Sequence, residues 1–418
     1  MAQVHKKFSD SQVKEMIARY LAKEIKREHM QTVLGIKRRR FCELVKKYKD
    51  NPESFSVEYK RKSATRAITG DVEENIMLEL LKEKNLIDDP EVPIRNYNYS
   101  YIKDRLEEKY ANKVSLPTII SRAKKYNFYI SKRKKGKTHE REVITDYAGQ
   151  LIQHDSSHHK WSPYADNKWY LITSLDDFSR YILYAKLVEK ETSWAHIAAM
   201  EQLILKYGLP YSYYVDSHSI FRFVQGRDSL YRKHYSLTDD ENPQWKQILL
   251  ELGVKIEYAL SPQAKGKVER PYEWLQDRIV RICAREGIKD ILDANKVLGY
   301  EIKRCNYKQV HSTTGEVPYY RFSEALSEGT SLFRQFVLLP PYTSTKDIFA
   351  LRANRIIDPY RKISINNLEI KLNGKPRDYV NMRIYPLNKE FSEVRFWCND
   401  KLIEVKEIRN SDLRIVHF

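Results

Sequence analysis

The 418-residue sequence predicts a multidomain chain: an all-α N-terminal part, a central α/β domain on a mixed sheet, and a small β-rich domain at the C-terminal end. Three observations predict it. Apolar residues recur at helical spacing through most of residues 9–126. Three strand-like runs, then alternating helix- and strand-like runs, fill residues from about 147 to 286. After about residue 330, short strand-like runs separated by turn residues return.

Residues 9–48 read as three short helices. Ser9 or Asp10 can cap the first, which carries Val13, Met16, Ile17, Tyr20 and Leu21 on one face. The second, roughly Arg27 to Leu34, stops at Gly35, a residue suited to a tight inter-helix turn. The third opens with Lys37, Arg38, Arg39 and Arg40 and turns Phe41, Leu44 and Val45 inward. Helix, glycine turn and basic helix predict a helix-turn-helix over residues 1–50, with Arg38, Arg39 and Arg40 at the DNA. The plainer alternative is a surface helix with solvated charge.

Residues 51–69 are polar, lack a period and read as a linker. Residues 70–137 read as a second helical module. One helix spans Val72 to Leu86, another Tyr101 to Tyr110, and Ser115 caps a third with Ile119, Ile120 and Ala123 inside. Arg122, Lys124 and Lys125 fall on its outer side, followed by the basic run Lys132, Arg133, Lys134, Lys135 and Lys137. Such a run is most often a solvated tether; between DNA-binding units it would track phosphates.

Charge points the same way. The net charge is +18 and the pI near 9.4, which favours a polyanionic partner. Residues 1–150 hold 34 Lys and Arg against 22 Asp and Glu, so most of the excess lies there. The four cysteines, at 42, 283, 305 and 398, have no zinc-site spacing and fit a reducing cytoplasm. No apolar run of about 18 residues suggests a membrane span, so a cytoplasmic, nucleoid-associated protein without a membrane partner is expected.

The central domain is expected over residues 138–325. Gly149 to His154 is its first strand, Trp169 to Leu175 an alternating second and Tyr181 to Val188 a third, forming an antiparallel meander. A helix over Thr192 to Tyr207, a strand over Tyr211 to Val215, a helix over Gln244 to Leu252, a strand over Val254 to Ala259 and a long helix over Val268 to Glu286 follow. This is the order of a ribonuclease-H-like fold. Residues 330–418 read as a β-barrel, with strands at 363–365, 368–372, 381–385, 394–397 and 402–405 and turns at Asn366-Asn367 and Asn399-Asp400.

Three acids stand where these elements meet. Asp155 ends the first strand, Asp216 follows the fourth, and Glu269 opens the long helix. Converging carboxylates suit a hard cation such as Mg²⁺ or Mn²⁺, and two such ions would clamp the attacking and leaving oxygens at a phosphate. Arg270, Arg278, Arg281 and Arg285 share a face of the long helix, and Lys265 and Lys267 precede it, so all could hold DNA backbone. Asp176 and Asp177 read as turn or capping residues. Glu273 is a possible substitute for Glu269, and His158 and His159 read as structural or DNA-contacting.

The segments Gln-His-Asp-Ser-Ser-His-His-Lys-Trp (153–161), Tyr-Val-Asp-Ser-His-Ser-Ile-Phe-Arg (214–222) and Ser-Pro-Gln-Ala-Lys-Gly-Lys-Val-Glu-Arg (261–270) resemble the DDE transposases of bacterial insertion sequences, which have a retroviral-integrase-type core. The ISNCY-type transposases are most similar, and the resemblance covers roughly residues 10–330. It implies that Asp155, Asp216 and Glu269 are a catalytic triad holding Mg²⁺ or Mn²⁺, two per active site. It also implies binding of terminal inverted repeats, cleavage and strand transfer on double-stranded DNA, and a homodimer or larger assembly on element ends and target. The 53-residue step from Asp216 to Glu269 is longer than in retroviral integrases, and residues 225–242 look like an insertion. The rival readings are an inactive relative that regulates by binding DNA and a ribonuclease-H-type nuclease.

Overall fold

The computed structural model describes residues 4–58, 68–131, 145–216, 221, 243–259, 266–365 and 368–413, apart from the side chains of 266–271. It divides into two compact units, Met1–Glu74 and Asn75–Phe418.

In the first unit, α1 (Asp10–Leu21), α2 (Arg27–Leu34) and α3 (Arg38–Asp50) fall where the periodicity places them. The Ser9 side chain accepts from the Gln12 backbone, and the Gln12 side chain accepts from the Ser9 N–H, closing a capping box. Gly35 turns α2 into α3 in the left-handed conformation, φ 60°. Val13, Ile17, Met30, Leu34, Phe41 and Leu44 bury together. Phe55 and Val57 join them, and the Val57 N–H donates to Asp10 at 2.8 Å. The first part of the expected linker is therefore core: two apolar side chains close the open side of the helices.

The second unit begins its helical layer with α4 (Gly70–Asp88, whose first turn lies in the first unit), α5 (Tyr99–Tyr110) and α6 (Leu116–Lys125). Ser115 caps α6. The five-stranded sheet consists of β1 (Leu151–His159), β2 (Trp169–Asp176), β3 (Ile182–Val188), β4 (Ser212–Val215) and β5 (Lys255–Tyr258), in the order β3-β2-β1-β4-β5. The first three strands are antiparallel, and β4 and β5 run parallel to β1. The helices are α7 (Ser193–Tyr207), α8 (Gln244–Glu251), α9 (Gly266–Glu286), α10 (Ile291–Lys308) and α11 (Pro318–Ser327). This is the mixed, helix-flanked sheet expected from the sequence. β2 does not alternate buried and exposed as expected: all of it except Tyr170 is buried, because helices cover both faces.

α7 ends at Gly208, φ 98°, where a Cβ would stand 2.5 Å from the Arg334 carbonyl oxygen. Leu209 and Arg334 exchange backbone hydrogen bonds there, latching the chain beyond α11 onto the sheet domain. β6 (Leu351–Ile356), β7 (Lys362–Ile365), β8 (Leu368–Lys371), β9 (Tyr379–Pro386), β10 (Phe391–Cys398) and β11 (Lys401–Arg409) follow. Among the described residues they form an antiparallel sheet, β11-β10-β9-β6, and a separate β7–β8 hairpin. Asn399 and Asp400 both take positive φ at the β10–β11 turn, as a two-residue hairpin turn requires; the Asn366-Asn367 turn lies outside the described residues. The strand that sequence reading missed is β6, whose Arg352, Asn354 and Arg355 hide its period.

One apolar cluster contains Ile152, Tyr213, Ile248 and Leu249 of the mixed sheet's domain together with Leu351, Met382, Ile384 and Phe396 of the C-terminal sheet. At its margin Glu201 of α7 accepts from the Tyr385 hydroxyl of β9 at 3.0 Å, and burial pushes its carboxyl up to about 7. A pKa raised in the folded state gives stability that is complete below the usual value of 4.5 and is lost as pH rises through about 7. Glu201→Gln should flatten that dependence, which totals up to about 3 kcal/mol across the window for a buried carboxyl shifted this far. Urea midpoints from pH 4.5 to 8 check it; an unchanged slope would assign the pH dependence elsewhere.

Candidate active site

The β1–β4 ladder pairs Leu151 with Ser212, Ile152 with Tyr213 and Gln153 with Tyr214, and goes no further. Asp155 and Asp216 each stand two residues past the last pair of that ladder, at the point where the two strands part company. Sequence reading put Asp155 at the end of its strand. It is instead in the middle of β1, because pairing with β2 continues through His159 while pairing with β4 has stopped. Asp216 follows the last residue of β4, as expected.

Side-chain alternation turns Asp155, with Thr173 across the ladder and Ser157 two residues on, toward α9. The Thr173 and Tyr272 hydroxyls are 2.7 Å apart, and Gln276 donates to Ser157 at 3.1 Å, so α9 is fastened along β1 and β2. Burial above all, then the charge of Asp155, holds the Tyr272 hydroxyl well above the ordinary tyrosine range, and Glu191 and Asp216 push the same way. Three acids thus bear on one buried hydroxyl. Glu269 lies in the first turns of α9, three residues before Tyr272 and so on about the same helical face; its side chain is outside the described ones. Among the described residues no group of three His, Cys, Asp or Glu is gathered as a metal site. The oxygen donors at Asp155 and Asp216 fit a hard cation rather than zinc.

Sequence reading missed Glu191, Tyr272, Thr173 and two histidines. Ser174, His154, His196, Glu191 and Ser156 form a hydrogen-bonded chain on the α7 side of the sheet. His154 and His196 are fully buried. His154, two residues after the buried Ile152 and so on the same face of the strand, was the available signal.

The acidic alternatives are accounted for. Asp176 accepts from the Gly149 and Ser179 backbone N–H groups, and burial pushes its carboxyl up to about 6. Asp177 accepts from Arg180 and Thr145, both at 2.8 Å. Asp176 ends β2 and caps the following turn, and Asp177 lies in that turn, in keeping with the expected turn or capping role. Glu273 is exposed on α9. His158 stacks flat on Tyr170, centroids 4.2 Å apart, and His159 meets Trp161 edge-on.

The arginine stripe on α9 requires correction. Arg278 and Arg281 are not a DNA surface: their side chains are only 2 % and 1 % exposed. Arg278 pairs with Asp104 of α5 and Glu301 of α10, both at 2.8 Å. Arg281 pairs with the buried Glu83 of α4 and with Asp277 at 2.8 Å, and Arg285 with Glu79 of α4 at 2.5 Å. The stripe is the seat on which α4 and α5 dock, and burial of unpaired guanidinium groups would be prohibitive without those acids. Leu275, Ile279, Ile282 and Cys283 face inward as predicted.

The remaining basic candidates divide. Arg38, Arg39 and Arg40 are exposed at the start of α3, the latter two pairing with Glu43 at 3.4 and 3.0 Å. Lys124 and Lys125 are exposed on α6 and lie over the Tyr129 and Tyr126 rings, while Arg122 is half-buried. Lys132, Arg133, Lys134, Lys135, Lys265 and the 225–242 stretch lie outside the described residues, as do the side chains of Lys267 and Arg270. All four cysteines are free, and among the described residues no helix is long and apolar enough to cross a membrane.

No protein-family model matches the chain. The putative transposase y4bF of Sinorhizobium fredii is 30% identical over 178 residues, 43% of this chain and 37% of that protein. The transposase for insertion sequence IS1202 of Streptococcus pneumoniae is 31% identical over 171 residues, 41% of this chain and 35% of that protein. The chain spans a little over a third of the length of these curated relatives. Among solved structures, the HTLV-2 integrase catalytic core in complex with magnesium is 19% identical, covering 42% of this chain and 97% of its own at a TM-score of 0.32. The simian T-cell lymphotropic virus intasome in complex with the PP2A regulatory subunit B56 gamma is 14% identical, covering 72% and 94% at 0.35. The similarity to transposases read from the three motifs is borne out by the two curated relatives.

Proposed function

We propose that the chain is a DDE-type DNA transposase that binds the terminal inverted repeats of a mobile element and catalyses metal-dependent cleavage and strand transfer. The observation that supports this is that Asp155 and Asp216 each stand two residues past the last pair of the β1–β4 ladder. Asp155, Asp216 and Glu269 are the triad, and would hold Mg²⁺ or Mn²⁺, two per site. Bound there, such ions polarise the phosphate and lower the pKa of the attacking water or 3′-hydroxyl. The protein would carry Asp155 on the central strand β1 and Asp216 directly after β4, fasten the helix of Glu269 through Tyr272 and Gln276, and back the site with packed aromatics.

DNA recognition is assigned first to the three-helix unit, as a helix-turn-helix with α3 in the major groove. Lys124, Lys125, Arg122, the basic run at 132–135, Lys265, Lys267 and Arg270 would follow phosphates. Replacing Arg38, Arg39 and Arg40 together by Ala should weaken binding across sequences and flatten the log K against log salt slope by up to about 3. Fluorescence anisotropy over a salt series measures it; an unchanged slope would move the DNA contact off α3. Arg278 and Arg281, buried in ion pairs with Asp104, Glu301, Glu83 and Asp277, do not belong to this surface. Two ends need two sites, so a homodimer or larger assembly on DNA is expected. The β7–β8 hairpin against the C-terminal sheet would complete a small barrel serving DNA or protein contacts, in a cytoplasmic, nucleoid-associated protein.

The test is incubation of the full chain with labelled DNA carrying the repeats that flank its own gene, with Mg²⁺ or EDTA. Nicking at the repeat boundary and joining of the 3′-hydroxyl end into other DNA supports the transposase. Hydrolysis of RNA in hybrids without joining would favour the nuclease, and specific binding without cleavage the regulator.

A further inference from the structure

From His154 onward β1 is hydrogen-bonded to β2 alone, because the β4 ladder has ended at Gln153. Asp155 therefore stands on a stretch of strand with no backbone ladder on one side, and something else must fix it. On the face opposite its side chain, both of its neighbours are tied down. His154 Nδ1 lies 2.9 Å from Ser174 Oγ and its Nε2 2.8 Å from His196 Nδ1. His196 Nε2 lies 3.0 Å from Glu191 Oε1, to which the Ser156 hydroxyl also donates. One pair of tautomers, assigned from this bonding pattern, satisfies all four links: both histidines carry the proton on Nε2, His154 donates to His196, and His196 donates to Glu191.

The hydrogen-bonded chain is buried and packed. Trp245 stacks on His154 with ring planes 13° apart, and Phe221 meets both histidines edge-on at 5.7 and 4.9 Å. Hydrogen bonds in such surroundings hold their geometry tightly. The Glu191 carboxylate, 15 % exposed, anchors the end nearest solvent.

We propose that Glu191 is a positioning residue for the reaction: through Ser156 on one side and His196–His154 on the other, it holds the two residues flanking Asp155 and sets where that carboxylate stands relative to Asp216. The proposal rests on the reading of Asp155 and Asp216 as catalytic.

The test uses the full chain, labelled duplex carrying its own flanking repeat, and a MgCl₂ titration under single-turnover conditions, with wild type in every series. Glu191→Ala should lower the cleavage rate at saturating DNA by about 10- to 100-fold and raise the Mg²⁺ concentration for half-maximal rate, as loss of a group supporting a metal ligand does. DNA-end affinity and melting temperature should stay near wild type. Glu191→Gln should recover most of the rate, since its Oε1 accepts from both His196 and Ser156. Ser156→Ala should fall between, and the Glu191→Ala, Ser156→Ala double variant should be no worse than Glu191→Ala. Wild-type cleavage by Glu191→Ala overturns the proposal. So does Glu191→Gln falling as far as Glu191→Ala, which would assign the effect to charge, or joint loss of end binding and melting temperature, which would assign it to general stability. A wild type that does not cleave would instead remove the underlying reading of the site.

Discussion

Asp216→Asn should abolish metal-dependent cleavage and joining while leaving binding of the element end unchanged. Asn keeps the volume and one oxygen of the side chain but removes the charge that a hard cation requires. Metal-assisted stabilisation of a phosphoryl transition state amounts to several kcal/mol, and each 1.36 kcal/mol is a factor of ten. The rate should therefore fall by at least about 10³-fold, with Asp155→Asn equivalent and the double variant little worse, since the two act as one unit. Gel shifts on the repeat and single-turnover cleavage separate the two effects. Cleavage by Asp216→Asn within tenfold of wild type would remove the carboxylate pair as the reaction centre.

Arg281→Met should produce the largest loss of stability of any single change considered. The Arg281 guanidinium bonds Glu83, Asp277 and the Asn96 carbonyl. Glu83 is fully buried, and burial raises its carboxyl above the ordinary range even with Arg281 and Arg285 opposing. Removing one partner of such a buried pair costs about 3–5 kcal/mol, whereas removing both charges together is far milder. The urea midpoint should fall accordingly, and Glu83→Gln added to Arg281→Met should restore much of it. The sign of the pH effect follows from the raised Glu83 pKa: a raised group is most favourable below its unfolded value and loses stability as pH rises through the folded one. The deficit of Arg281→Met should therefore shrink in acid and widen toward neutral pH. Equal midpoints for the variant and wild type would show that α4 is not held through this pair.

The contrast between α3 and α9 explains what was legible in the sequence. Helix starts and stops are local: Ser9, Gly35 and Ser115 act within a few residues of themselves, and each was readable. Helical spacing likewise placed Leu275 and Ile279 inside. It also grouped Arg278, Arg281 and Arg285 on one face, but spacing tells which residues share a face and not what covers it. Their partners lie far away in the chain, at Glu79, Glu83, Asp104 and Glu301. The overlooked clue was on α4, where Glu79 and Glu83 stand beside Ile76 and Leu80 on the buried face. Acids within an apolar stripe signal buried cations elsewhere. The end of β1 was misplaced for a related reason: Ser156, Ser157, His158 and His159 are polar, yet pairing with β2 keeps them in the sheet. Glu191 and His196 carry no local signal at all, since their role exists only once α7 lies against β1.

The apolar cluster shared by the mixed sheet and the C-terminal sheet makes the two inseparable as units of inheritance. A boundary drawn near residue 330 divides the polypeptide but not the core, so each half of such a split would carry one bare side of a common interior. Recombination can exchange parts only where the interior is also divided. In this chain the C-terminal strands therefore have to evolve in step with α7, α8 and the sheet they cover, and a change that suits them to a new contact is constrained by packing against the domain that bears Asp155 and Asp216.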